Sequence, residues 1–189
     1  THIYSLHRRK KMKNRIFALL LLCIAGSSCL KEKLEEGYNK QEANIDSYIA
    51  KNTTSDSMRV VYNGGATRLV RIEGTGPMLE PDGSVSFYYA GYTFNGSIDK
   101  KNLFVTNHQE TAESSNFTLT DPDYSLYEIN LGKTELIEGL RDGLIGVRAG
   151  ERCDILFSGK HAFGNSVFGT IPANSALAFQ IWVVGVSND

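Results

Sequence analysis

From Met58 onward, apolar and polar residues alternate in short blocks broken by turn residues. Arg59-Val60-Val61-Tyr62 and Arg68-Leu69-Val70-Arg71-Ile72 predict two strands on either side of a Gly64-Gly65 turn. Pro81-Asp82-Gly83 predicts a turn that launches a strand over Ser84–Phe94. In that strand Val85, Phe87 and Tyr89 share one face, with Ser84, Ser86 and Tyr88 on the other. Asn95-Gly96 then predicts a tight turn. The period changes to that of a helix over Thr134–Val147. Leu136, Ile137, Leu140 and Leu144 form one stripe, and Glu135, Glu138, Arg141 and Asp142 point outward. Thr134 is the predicted N-cap. Alternation returns in Glu151–Ser158, where Cys153, Ile155 and Phe157 share a face. It returns again in Ala176–Val186, where Leu177, Phe179, Ile181 and Val183 do. Between these last strands lies a glycine-punctuated loop, Gly159–Asn174. Residues 106–123 are polar without an apolar period and predict a long loop, of a kind that tends to be functional or disordered. The order of strands, one helix, then strands predicts an α+β domain with an antiparallel sheet folded over one short α-helix.

Ahead of this domain the pattern is different. Ile45, Tyr48 and Ile49 fall on one helical face and predict a short helix over 40–51. It is either a satellite packed on the domain or a dimerisation or partner helix. Residues 30–43 are polar and charged and read as a solvated tether. Further back, Arg8, Arg9, Lys10, Lys11, Lys13 and Arg15 precede an apolar run, Ile16–Ala25, which ends in Gly26-Ser27-Ser28-Cys29. A basic start, a short apolar stretch and small residues at its end make a secretory signal. The run is too short to span a bilayer, which needs about 20 apolar residues. Met12-Lys13-Asn14-Arg15 reads as a compact signal beginning, with residues 1–11 as an extension before it. The small residues leading to Cys29 resemble a lipobox, which implies acylation of Cys29 and a lipid anchor in the membrane. The alternative is ordinary secretion with Cys29 as an incidental thiol. Leu30 follows the cysteine, so the Asp that retains enteric lipoproteins in the inner membrane is missing, which favours the outer membrane. The expected division is a lipoprotein signal over 1–28, a tether and short helix over 29–57, and the main domain over 58–189.

Processing at Cys29 changes the charge. Residues 1–28 hold six of the 20 Lys and Arg and none of the 21 Asp and Glu, which leaves 14 against 21, a net of −7. An acidic surface argues against nucleic acid as a partner and against a polybasic membrane contact. Cys23 leaves with the signal and Cys29 takes lipid. Cys153 is then the remaining cysteine, placed in an alternating stretch as a small buried hydrophobe. His108 and His161 have no Cys or His partner at ligand spacing, so no metal or other cofactor is expected. No Gly-x-Ser-x-Gly elbow and no P-loop occurs.

Five motifs carry a family resemblance. Val85-Ser86-Phe87-Tyr88-Tyr89-Ala90-Gly91 followed by Asn95-Gly96 resembles the strand V-x-V-x-Y-x-G and its D-G turn. Leu131-Gly132-Lys133-Thr134-Glu135-Leu136-Ile137-Glu138-Gly139-Leu140 resembles L-G-x-x-x-V-I-x-G-W. Gly146-Val147-Arg148-Ala149-Gly150-Glu151 resembles G-M-x-V-G-E, and Ala162-Phe163-Gly164 resembles A-Y-G. Ile171-Pro172 with Leu177-Ala178-Phe179 resembles I-P-x-x-x-x-L-x-F. In this order, over about residues 68–187, they resemble the FKBP-type peptidyl-prolyl isomerases.

The resemblance implies an FKBP-like antiparallel sheet wrapped around one short helix, and a pocket that turns X-Pro bonds. It places Tyr89, Phe104, Ile137, Leu140, Phe163 and Phe179 at the catalytic pocket and Tyr127, Leu136, Ala162 and Ile171 at substrate-binding positions. In the family the backbone N–H at the position of Ile137 binds a substrate carbonyl, and Leu140 stands where the pocket floor is usually Trp. Two further departures accompany this one. Phe163 replaces a Tyr whose hydroxyl donates to substrate, and Val105 replaces an Asp that partners the strand Tyr, here Tyr89. The expected activity is prolyl isomerisation of proline-containing polypeptide clients in the cell envelope. The rival readings are an FKBP-fold binding module or chaperone without catalysis, and a structural lipoprotein of an envelope complex.

Overall fold

The computed structural model describes residues 30–53, 58–118 and 123–189. The signal over 1–28 and the acylation of Cys29 therefore lie outside the described residues. The chain divides into two units, Thr1–Asn39 and Lys40–Asp189. In the first, the described residues 30–39 are helical and mostly exposed, so the stretch expected as a tether has regular structure. Among the described residues no helix is long and apolar enough to cross a membrane.

The second unit begins with helix α1 (40–52). It continues with β1 (Arg59–Asn63), β2 (Ala66–Ile72), β3 (Ser84–Phe94) and β4 (Leu103–Thr106). Then come α2 (Gln109–Ser114), β5 (Tyr127–Asn130), α3 (Glu138–Leu144), β6 (Arg152–Phe157) and β7 (Ala176–Ser187). The strands form one antiparallel sheet in the order β1-β2-β6-β7-β3-β4, with β5 also paired to β3. This is the predicted α+β architecture. The long pairing of β3 with β7, from Ser84↔Ser187 to Phe94↔Ala176, is its spine.

Period-two alternation gives the sheet two apolar faces. On one, Phe87, Cys153, Ile155, Phe157, Leu177, Ile181 and Val183 pack with Leu140 and Leu144 of α3. On the other, Leu69, Phe94, Leu156, Ala176 and Ala178 pack with Ile45, Tyr48 and Ile49 of α1. The helix over 40–52 is thus a satellite whose apolar face is used within its own chain. Polar bonds fix it as well: Tyr48 donates to Asp154 at 3.0 Å, and Arg71 pairs with the same carboxylate at 2.6 Å. Cys153 is fully buried, and burial pushes its thiol well up, as suits a small core hydrophobe.

Three elements differ from expectation. The helix of the domain is shorter than Thr134–Val147. It starts after Ile137, and Thr134 does not cap it: the Thr134 N–H donates to Asn130 O in a turn. Residues 135–137 lie outside the helix, with Ile137 at φ −55° and ψ 132°. The loop expected over 106–123 contains α2, too short for an apolar period to show, and Ala112 and Phe117 pack inward from it. Strand β5 is four residues long and also went unpredicted; it exists because β3 offers it a partner edge from Ser84 to Phe87.

A close approach sets the position of α3. A Cβ on Gly139 would lie 2.2 Å from Phe157 Cγ, and one on Gly143 would lie 2.1 Å from Ile155 Cγ2. One turn apart, these two glycines let the helix backbone lie directly on β6. The buried Arg68 holds its far end, donating to the carbonyls of Gly143 (2.6 Å) and Ile145 (2.8 Å). Its charge is matched by buried Glu151, 3.2 Å away.

Candidate functional site

Beyond the N-terminal end of α3 the sheet is uncovered, and a cavity of about 1040 Å³ opens there. Its first wall is sheet: Phe87 and Tyr89 from β3, Phe104 and Val105 from β4, Tyr127 from β5 and Phe179 from β7. The second wall is the lead into α3, with Leu136 and Ile137, and Leu140 in the helix. The third is the loop after β6, with Ala162, Phe163, Phe168 and Ile171. All ten residues that the resemblance placed at the pocket line this one cavity: Tyr89, Phe104, Tyr127, Leu136, Ile137, Leu140, Ala162, Phe163, Ile171 and Phe179.

The aromatic rings hold one another mainly edge to face. Phe104 meets Phe179 at 5.9 Å and 86°, Phe87 meets Tyr127 at 5.6 Å and 87°, and Tyr89 meets Tyr127 at 5.7 Å and 70°. Phe179 also stacks on Phe157 beneath it, at 6.1 Å and 11°. Such pairs contribute about 0.5–1.5 kcal/mol each beyond burial and fix ring orientation. Gly91 keeps the base of the cup open, because a Cβ there would lie 2.8–2.9 Å from Phe179, Phe104 and Val105. Leu140, Ile171 and Phe179 are buried at the bottom, while Tyr127 and Phe168 stand exposed at the mouth.

Polar groups around the cup are few. Tyr89 is held through its backbone: its N–H donates to Asn107 Oδ1 at 2.6 Å, and its carbonyl accepts from Thr106 Oγ1 at 2.7 Å. The Asn107 amide in turn donates to Ser125 O, tying β3 to the approach of β5. With Val105 beside it on β4, the Tyr89 hydroxyl has no partner among the described residues. Burial pushes that phenol up, and the charges of Tyr127 and Asp123 add to the effect, so it stays protonated. Ile137 precedes an uncapped helix start, and its N–H has no acceptor among the described residues. It is a free donor on the cavity wall.

The sequence reading missed several lining residues. Phe87 was legible as the neighbour of Tyr89 on the same strand face. Phe168, Gly169 and Thr170 sit in a loop whose pattern carries no period, so nothing marked them. Glu135 and Glu138 were expected to point away with the outer face of a helix. Both line the edge of the cavity instead, Glu135 ahead of the helix and Glu138 in its first turn.

The site is an apolar, aromatic cup with a free backbone donor on its wall, set in a strand-rich domain with one helix beneath. The family model described as FKBP-type peptidyl-prolyl cis-trans isomerase matches residues 78–184. The chain belongs to this family. FK506-binding protein 1 of Aspergillus oryzae is 24% identical over 123 residues, which is 65% of this chain and 99% of that one. A peptidyl-prolyl cis-trans isomerase of Saccharomyces cerevisiae is 27% identical over 158 residues, 84% of this chain but 33% of its own length. The chain thus spans only about a third of that yeast relative. Among solved structures, FkpA from Escherichia coli overlays with a TM-score of 0.54 at 19% identity, covering 83% of this chain and 64% of that one. A peptidyl-prolyl cis-trans isomerase of Pseudomonas syringae gives 0.53 at 19% identity, covering 82% and 96%.

Proposed function

We propose that this protein is an active prolyl isomerase that assists folding in the cell envelope, and that it binds X-Pro segments of its clients in the aromatic cup. The observation that supports this reading is the convergence of ten aromatic and aliphatic side chains and the free Ile137 N–H on one cavity. Rotating a peptide bond through its twisted state costs about 18–20 kcal/mol, and an uncatalysed X-Pro flip takes tens to hundreds of seconds. The twisted bond has lost amide resonance and is less dipolar than the planar one. An apolar cup therefore disfavours the planar ground state more than the transition state. The proline ring rests on Leu140 and Phe179, and the Ile137 N–H takes a substrate carbonyl and fixes the register of the peptide. The test is the cis-to-trans rate of short X-Pro peptides with added residues 30–189, using Phe163→Ala as the control. Acceleration that the control loses is expected. A folded protein that accelerates no peptide would sink the activity.

A second reading is favoured by Leu140, Phe163 and Val105, which thin out the grip and the polar partners of the cup: a binding module or chaperone without catalysis. Removing residues 107–123 does not test it cleanly, because Asn107 anchors Tyr89 and Phe117 packs on the sheet. The exposed Val167-Phe168 pair at the mouth is the better target. Aggregation of an unfolded client is suppressed equally by wild type and by Val167→Ser/Phe168→Ser if the surface plays no part.

The envelope location rests on the signal pattern before Cys29, with the protein held by lipid in the outer membrane, on its periplasmic or surface face. Incorporation of labelled fatty acid that is lost in Cys29→Ser tests it.

A further inference from the structure

The lining of the cup is neutral except at one edge. Glu135 and Glu138 both stand there, exposed to solvent on the short stretch that also presents the Ile137 N–H. No Lys, Arg or His lines the cavity among the described residues. Glu138 is held in place by the ring of His161, whose Nδ1 lies 3.1 Å from Glu138 Oε1. Glu135 has no ion pair or hydrogen bond to its side chain among the described residues. Arg141 is close in sequence, but its guanidinium donates to the Thr134 carbonyl and it does not line the cup. The negative charge of Asp123, which does not line the cup, also raises the Tyr89 phenol, after burial and Tyr127. The mouth thus carries negative charge beside apolar walls of low dielectric constant. Such walls focus the field into the opening.

On the reading of the cup as a prolyl-peptide site, we propose that Glu135 and Glu138 select clients whose proline is flanked within a residue or two by Lys or Arg. The proline enters the apolar cup while the cation stays at its edge, still partly hydrated, against the two carboxylates. Leaving the cation half in water avoids the desolvation that makes buried ion pairs costly. An exposed pair of this kind changes affinity by roughly three- to fivefold. Peptides with a Glu in place of the Lys meet repulsion of similar size.

The test uses one neutral Ala-Pro peptide and four relatives with Lys or Glu on either side of the proline. Both the isomerisation rate and the binding of dye-labelled peptides are measured. The expected order in kcat/KM and in affinity is Lys, then neutral, then Glu, with roughly a tenfold span between the extremes. The span narrows toward unity in Glu135→Gln/Glu138→Gln and in about 0.5 M sodium chloride, where screening is short-ranged. Taking the ratio within each variant removes any general effect of the substitutions on the cup. Equal handling of the Lys and Glu peptides, or a span that survives in the double variant, overturns the selection. If no peptide is isomerised but the order appears in binding, the activity proposed above fails and the selection stands. If no peptide binds, both fail.

Discussion

Phe163 and Phe168 stack face to face, with ring centroids 4.4 Å apart and planes 6° from parallel. Phe168 is 60% exposed and Phe163 lines the cup, so the outer ring serves to hold the inner one upright. Phe163 has no hydroxyl to orient it, and this stack is the contact that sets its plane. Phe168→Ala should therefore raise KM by about two- to tenfold, the worth of one aromatic pair, with little change in thermal midpoint because the lost ring was mostly in water. Peptide kinetics beside a melting curve measures both.

The buried Arg68–Glu151 pair makes a second, purely structural prediction. Arg68 has two carbonyls at the end of α3, those of Gly143 and Ile145, and one carboxylate as partners in an otherwise apolar core. Arg68→Met leaves Glu151 buried without its cation and should cost about 3–5 kcal/mol in urea denaturation. Replacing both, as Arg68→Met/Glu151→Leu, should recover much of that loss.

The glycines of α3 predict a competition of two effects. Gly139→Ala gains up to about 1 kcal/mol in helix propensity. The new Cβ would sit 2.2 Å from Phe157, and overpacking of that severity costs about 1–3 kcal/mol. The second effect is larger, so the variant should be less stable. Any relief must lift α3, which carries Leu140 at the base of the cup. Loss of peptide binding beyond the loss of stability is the expected signature.

The pH dependence of stability should carry a contribution from His108. Its ring stacks on Trp182 at 4.0 Å and 5°, with Tyr88 edge-on at 6.2 Å. Burial pushes its pKa below the usual 6.5; Glu110 opposes that and Arg152 adds to it. A depressed pKa in the folded state means that the unfolded chain takes up the proton first. The stabilisation is whole above about 6.5 and is lost as the pH falls through the folded value. The melting temperature should drop between pH 7.5 and 5.5 by more in wild type than in His108→Phe, which keeps the stack and cannot titrate.

Much of the fold was legible because its signals are local. The alternation in Ser84–Phe94, Arg152–Phe157 and Ala176–Ser187 needs only that one strand face be apolar, and each strand stands where it was expected. The side chains around the cup were legible through the resemblance: eight of the ten sit at fixed places in the five motifs, and Phe104 and Tyr127 lie between them. What escaped had no local signature. Strand β5 is defined by the edge it pairs with, α2 is shorter than two turns, and Phe168 sits in an aperiodic loop.

The sequence alone thus determined the strand faces and the chemical character of the cup, because periodicity and residue type act over a few neighbours. Only the tertiary structure decided where α3 begins. A helical reading of Thr134–Val147 is good locally, and it would have turned Glu135 and Glu138 to solvent. In the folded chain, residues 135–137 lie ahead of the helix, and Leu136 and Ile137 line the cup along with Leu140. That choice leaves the Ile137 N–H free and brings both carboxylates to the edge of the cavity. The seat of α3 depends on β6, where Gly139 and Gly143 meet Phe157 and Ile155, and on Arg68 of β2, 75 positions from the Gly143 carbonyl it holds, and no short window of sequence contains both.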